Sequence, residues 1–140
     1  MKAVLIGMTL ALLSSFSIAA ESYTEGHVVG VSYIKVKPGM YDAYMKYLDT
    51  DYKRLMEAHK KAGLIVDYAV YATEARTPQE PNLILMTTYT NMAALDRTEE
   101  ADAVTRKVFG DEAKVNKGTV DRGAMRDPVG TQLMRQLILK

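Results

Sequence analysis

The stretch YDAYMKYLDTDYKRLMEAHKKA, residues 41–62, decides the fold. Tyr41, Tyr44, Met45, Leu48, Tyr52, Leu55, Met56 and His59 recur at three- and four-residue steps, so they line one face of an amphipathic helix. Asp42/Lys46, Asp49/Lys53 and Glu57/Lys61 stand four apart with the acid first, the favoured order for helical ion pairs. Gly63 is placed to cap the C-terminus. Such an apolar stripe has to be buried, and the flanking sequence supplies a sheet.

Upstream, residues 27–37 (HVVGVSYIKVK) are rich in β-branched side chains and predict a first strand. Val29, Val31 and Tyr33 point one way and Val28, Ile34 and Val36 the other, the pattern of a strand covered on both faces. Residues 21–26 are polar and are expected to fray. Pro38-Gly39 turns the chain into the helix. Downstream, residues 64–73 (LIVDYAVYAT) predict a second strand, residues 74–82 a loop with two prolines, and residues 83–90 (LILMTTYT) a third strand in a hairpin with the second. Asn91 is a plausible N-cap. Ala101, Val104 and Val108 give a weaker helical stripe that ends at Gly110. Residues 111–127 show no apolar face, and Gly118 and Gly123 interrupt any helix, so a short broken helix is expected. Asp127 precedes Pro128, which disfavours helix there, and residues 130–140 (GTQLMRQLILK) predict a fourth strand.

The order is β-α-β-β-α-β, which defines an α+β, ferredoxin-like domain with an antiparallel sheet, spanning residues 21–140. Helices cover one face of that sheet. The strands are apolar on both faces, and the chain has no further elements, so a second subunit is expected on the other face.

Residues 1–20 have the order of a secretory signal: Lys2, an apolar run over residues 3–13, then Ser14, Ser15, Ser17, Ala19 and Ala20. Cleavage near Ala19/Ala20 and a periplasmic or secreted location are expected, with no stable membrane anchor afterwards. The apolar run is short for a bilayer span. The chain has 18 Lys plus Arg and 17 Asp plus Glu; without Lys2 both counts are 17. A neutral mature protein has no electrostatic reason to bind nucleic acid. The absence of cysteine excludes thiol catalysis, thiolate metal sites and disulfides.

YIKVKPGMYDAYMKYL, a strand ending in Pro-Gly followed by a helix, resembles the opening of the dimeric α/β-barrel proteins. TNMAALD and the closing GTQLMRQLILK are similar to exported, largely uncharacterised members of that superfamily. The resemblance spans residues 27–140 and implies a homodimer. It also opens a range of activities: cofactor-independent monooxygenase, haem degradation, isomerisation or none. Oxygenases of the superfamily often place Asn, Trp and His in the barrel; this sequence has no Trp, and no catalytic residue is carried over.

Two hypotheses from the residues follow. The first is a binding protein that holds a small apolar or aromatic molecule in the barrel, with Tyr33, Asp67, Tyr71, Tyr89 and Arg135 as lining residues. The second is a cofactor-independent oxygenase or isomerase with Asp67 or His59 as base and Arg135 stabilising an enolate. A non-catalytic structural module of the envelope is a third reading. Each residue has a plainer role: tyrosines are common in strands, His59 suits a packed helix end, and Asp67 and Arg135 suit structural ion pairs. Asp67 of one subunit is expected near the partner's Arg135, because strands two and four occupy opposite sheet edges. Neither histidine has metal-ligand spacing, so no metal is expected, and no cofactor motif is present.

Overall fold

The computed structural model describes residues 22–140; the expected signal sequence lies outside the described residues. The elements are β1 (Tyr23–Val36), α1 (Tyr41–Tyr47), a π-helical turn (Leu48–Tyr52), α2 (Lys53–Lys61), β2 (Asp67–Ala72), β3 (Leu83–Tyr89), a 3-10 turn (Met92–Asp96), α3 (Thr98–Phe109), α4 (Glu112–Met125) and β4 (Arg126–Leu139). The strands form one antiparallel sheet in the order β2-β3-β1-β4. This is the ferredoxin-like α+β arrangement, with β2 and β4 at the edges.

Register fixes which side chains meet the helices. Val28, Gly30, Ser32 and Ile34 of β1 stand opposite Tyr89, Thr87, Leu85 and Leu83 of β3. Opposed residues share a face, and Ile34, Val36, Leu83 and Leu85 pack with Tyr44 and Leu48 of the first helix in one buried cluster. A second cluster joins Met56 to Leu64 and Ile65. The alternate set, Val29, Val31 and Tyr33 with Ile84, Met86 and Thr88, forms the helix-free face.

The first helix is continuous but not uniform. At residues 48–52 it widens, with the Lys53 N–H donating to the Leu48 carbonyl five residues back. Thr50 Oγ1 donates to the Lys46 carbonyl (2.8 Å), a side-chain bond that competes with the regular ladder. The wide turn has a packing consequence. On an ideal α-helix a four-residue step overshoots one turn by about 40°. A π turn takes up part of that overshoot and keeps Tyr44, Leu48, Tyr52 and Met56 aimed at the sheet. Tyr41, which the stripe also includes, is exposed.

Both turn glycines lie where left-handed backbone is needed. Gly39 has φ of 76°, and Met40 N–H donates to the Lys37 carbonyl at 3.0 Å, closing the Pro38-Gly39 turn. Gly63 has φ of 66°. Its N–H donates to the Lys60 carbonyl and that of Leu64 to the His59 carbonyl, both at 3.0 Å, which is a Schellman cap. Leu64 and Ile65 are buried in the connection that follows, and β2 begins only at Asp67.

Three expectations are corrected. Residues 23–26 are strand rather than frayed, because β4 runs long enough to pair Tyr23 with Leu139 and Glu25 with Leu137. Residues 112–125 form one unbroken helix, α4, capped by the Asp111 side chain accepting from Lys114 N–H (3.0 Å). Its glycines face open space, so they cost helix stability without ending it. β4 begins at Arg126, not near residue 130, and carries Pro128 on an outer edge that pairs with no described strand. A bulge between Tyr33 and Ile34 accommodates the extra β4 residue there. Beyond the reach of the helices, Leu133, Met134, Leu137, Ile138 and Leu139 of β4 are exposed.

A tyrosine and arginine cleft as the candidate functional site

A cleft of about 220 Å³ opens between the first helix, α4 and the sheet. α1 contributes Tyr44 and Tyr47, the π turn Tyr52, β1 Ser32, β3 Thr87, and the α4–β4 junction Arg122 and Arg126. Leu55, Met56 and Leu85 complete the wall. Aromatic rings and aliphatic side chains supply apolar area, while hydroxyls and two guanidinium groups supply polarity.

The polar groups are paired across the cleft. Arg126 Nη1 donates to the Tyr44 hydroxyl (3.0 Å), and its guanidinium also lies 5.6 Å from the Tyr44 ring centre. Arg122 Nη1 donates to the Tyr47 hydroxyl (3.1 Å). The Tyr44 and Tyr47 rings stack with centroids 5.7 Å apart. Tyr44 is wholly buried, and burial raises its pKa although Arg126 opposes the rise. The Tyr52 hydroxyl is buried and has no hydrogen-bond partner. Thr87 is its polar neighbour across the cleft, but not in bonding geometry. Burial is the main cause that pushes the Tyr52 phenol up to about 12. These phenols are therefore donors at neutral pH rather than bases.

The residues singled out in the sequence are not gathered in this cleft. Tyr33, Asp67 and Tyr71 belong to the helix-free face by register, whereas Tyr89 and Arg135 share the opposite face with Val28. Tyr33 donates to Gln132 Oε1 (2.9 Å). Asp67 pairs with Lys60 at 2.8 Å, which holds its carboxyl below the usual range. Arg135 pairs with Glu25. Tyr71 is exposed at the β2 edge. Tyr89 packs against the second core cluster and over Gly30. His59 is half-buried on α2, with Nε2 in long contact with the Thr105 hydroxyl (3.5 Å); burial lowers its pKa and keeps it neutral. Asp67, His59 and Arg135 thus form no common site within one chain.

From the sequence alone Tyr44 and Tyr52 read as packing residues, and Arg122 and Arg126 do not stand out. The available signal was their four-residue spacing beside a strand, hidden because residues 111–127 showed no apolar face. Among the described residues no cluster of His, Cys, Asp or Glu suits a metal, and no helix is long and apolar enough to cross a membrane.

Fold and cleft together define the class: a ferredoxin-like α+β domain with a polar aromatic cleft between helices and sheet. Two solved structures share the fold. HapK from Hahella chejuensis is 15% identical, with 78% of this chain and 91% of that one covered and a TM-score of 0.50. Protein SO0527 from Shewanella oneidensis is 16% identical, with 83% and 96% covered and a TM-score of 0.52. Identities this low establish the fold alone. No protein-family model matches the sequence, and the search of curated proteins returns no significant match.

Proposed function

We propose that the protein is an exported homodimer that binds a small aromatic molecule in the tyrosine and arginine cleft. The observation that carries this reading is the cleft wall itself: stacked Tyr44 and Tyr47 rings, the buried Tyr52 hydroxyl and aliphatic side chains around one concave space. On the helix-free face Tyr33 lines an open hollow beside Ile84, Glu74 and Arg76 that contains no second aromatic ring, and Tyr71 is exposed at the β2 edge.

Binding is preferred over catalysis for a chemical reason. No carboxylate or imidazole lines the cleft among the described residues, and its buried phenols are held protonated. An oxygenase or isomerase of the cofactor-independent kind needs a base that is free near neutral pH. Export rests on the signal-like residues 1–20. Dimerisation rests on the apolar side chains that β4 leaves exposed, including Leu133, Leu137 and Ile138.

The test is calorimetric titration of the mature protein with one-ring and two-ring aromatic compounds, neutral and charged. Saturable binding with one site per chain is expected, abolished by Tyr47→Ala. Failure of every compound to bind would overturn the reading.

A further inference from the structure

We infer that the ligand of this cleft is an aromatic anion, a carboxylate or a phenolate, whose charged oxygen is held by Arg122 and Arg126. The inference rests on the binding reading above and specifies its chemistry.

Four other arginines have acidic partners: Arg54 with Asp51, Arg76 with Glu80, Arg97 with Glu100 and Arg135 with Glu25; Arg106 has none among the described residues but is exposed to solvent on α3. Arg122 and Arg126 have none among the described residues, and both are half-buried. Their neighbours in sequence are already committed elsewhere, Asp121 to Lys117 (2.6 Å) and Asp127 to Lys37 (3.6 Å). Each guanidinium instead donates to a tyrosine hydroxyl. A partly desolvated cation bound only to neutral acceptors gains most from an anion.

The tyrosines complete the polarity. A phenol that accepts from a guanidinium keeps its own proton for another acceptor. Tyr44 and Tyr47 therefore each have one donor left, and the Tyr52 hydroxyl is buried with only the Thr87 side chain near it and no well-formed hydrogen bond. A buried hydroxyl in that condition marks a group that a bound molecule would satisfy. Five donors of this kind and no acidic acceptor line one cleft, which favours an anion and disfavours a cation. The space, about 220 Å³, suits one or two fused rings.

The experiment compares 1-naphthoate with its neutral counterpart 1-naphthalenemethanol, titrated into the mature protein at fixed salt. The wild type is expected to bind the carboxylate about tenfold tighter or more, the effect of one or two charge-assisted hydrogen bonds. Arg122→Gln/Arg126→Gln should remove that preference by weakening the carboxylate alone. Arg122→Lys/Arg126→Lys, which keeps the charge, should retain part of it. Equal affinities in the wild type, or a preference that survives in a folded Gln variant, would overturn the anion assignment while leaving aromatic binding intact. Loss of binding for both probes would overturn assignment and binding reading together.

Discussion

The first helix and α4 lie side by side over the same sheet, yet they are built on opposite principles. The first commits Tyr44, Leu48 and Met56 to the core. α4 buries no residue fully, and its Val120 is 71% exposed. The first helix is specified by packing and α4 by its cap and local propensity. The cleft takes its aromatic wall from the first, and its two cations from α4 (Arg122) and from Arg126, the first residue of β4. Position is thus set by the helix under packing constraint, and charge is delivered from the loosely packed α4 and its junction with β4.

The contrast can be broken most sharply at the core. Leu48→Ala should lower stability by about 2–5 kcal/mol through lost burial and the cavity left behind. Val120→Ala on α4 should change it by no more than about 0.5 kcal/mol. Urea denaturation with an unchanged m-value measures both, and comparable losses would dissolve the distinction.

Glycines sharpen it at the next scale. Gly63→Ala forces a Cβ into left-handed backbone and should cost about 1–2 kcal/mol. In α4, Gly118→Ala meets nothing within 4 Å and should stabilise by about 0.5–1 kcal/mol. A stabilising Gly63→Ala or a destabilising Gly118→Ala in the same melts would contradict the assigned backbone.

Much of this was readable in advance, for reasons that differ by residue. The stripe from Tyr44 to Met56 and the alternation in β1 and β3 are periodic because packing demands it. β1 could not be traced back to Tyr23, since YTEG is strand only by virtue of its pairing with the distant β4. α4 was obscured by the lack of any apolar face. Among the strand candidates, Asp67 and Arg135 stand out as charges within apolar strands and Tyr33, Tyr71 and Tyr89 as sources of rings and hydroxyls, and register divides them between two faces. Asp67 and Arg135 each bring a partner from their own chain, Lys60 and Glu25. A double-mutant cycle with Asp67→Ala and Arg135→Ala on dimer stability tests the expected cross-subunit contact: these intrachain pairs predict additivity, and coupling would support the contact.

The smallest effect concerns His59, where α2 meets α3. Its pKa is lowered in the folded state, so its contribution is fully present above the ordinary imidazole value of 6.5 and is lost as pH falls through the lower folded value. A modest drop in stability from neutral to mildly acidic pH is expected, reduced in His59→Gln. An unchanged acid limb in that variant would assign the drop to other groups.

Where a ligand sits distinguishes the cleft from the helix-free face most directly. A crystal of the mature protein soaked with 1-naphthoate should show the rings against Tyr47 and the Tyr52 hydroxyl, with the carboxylate on Arg122 and Arg126. Density on the helix-free face beside Tyr33 and Tyr71, with the cleft unchanged, would contradict the cleft as the site.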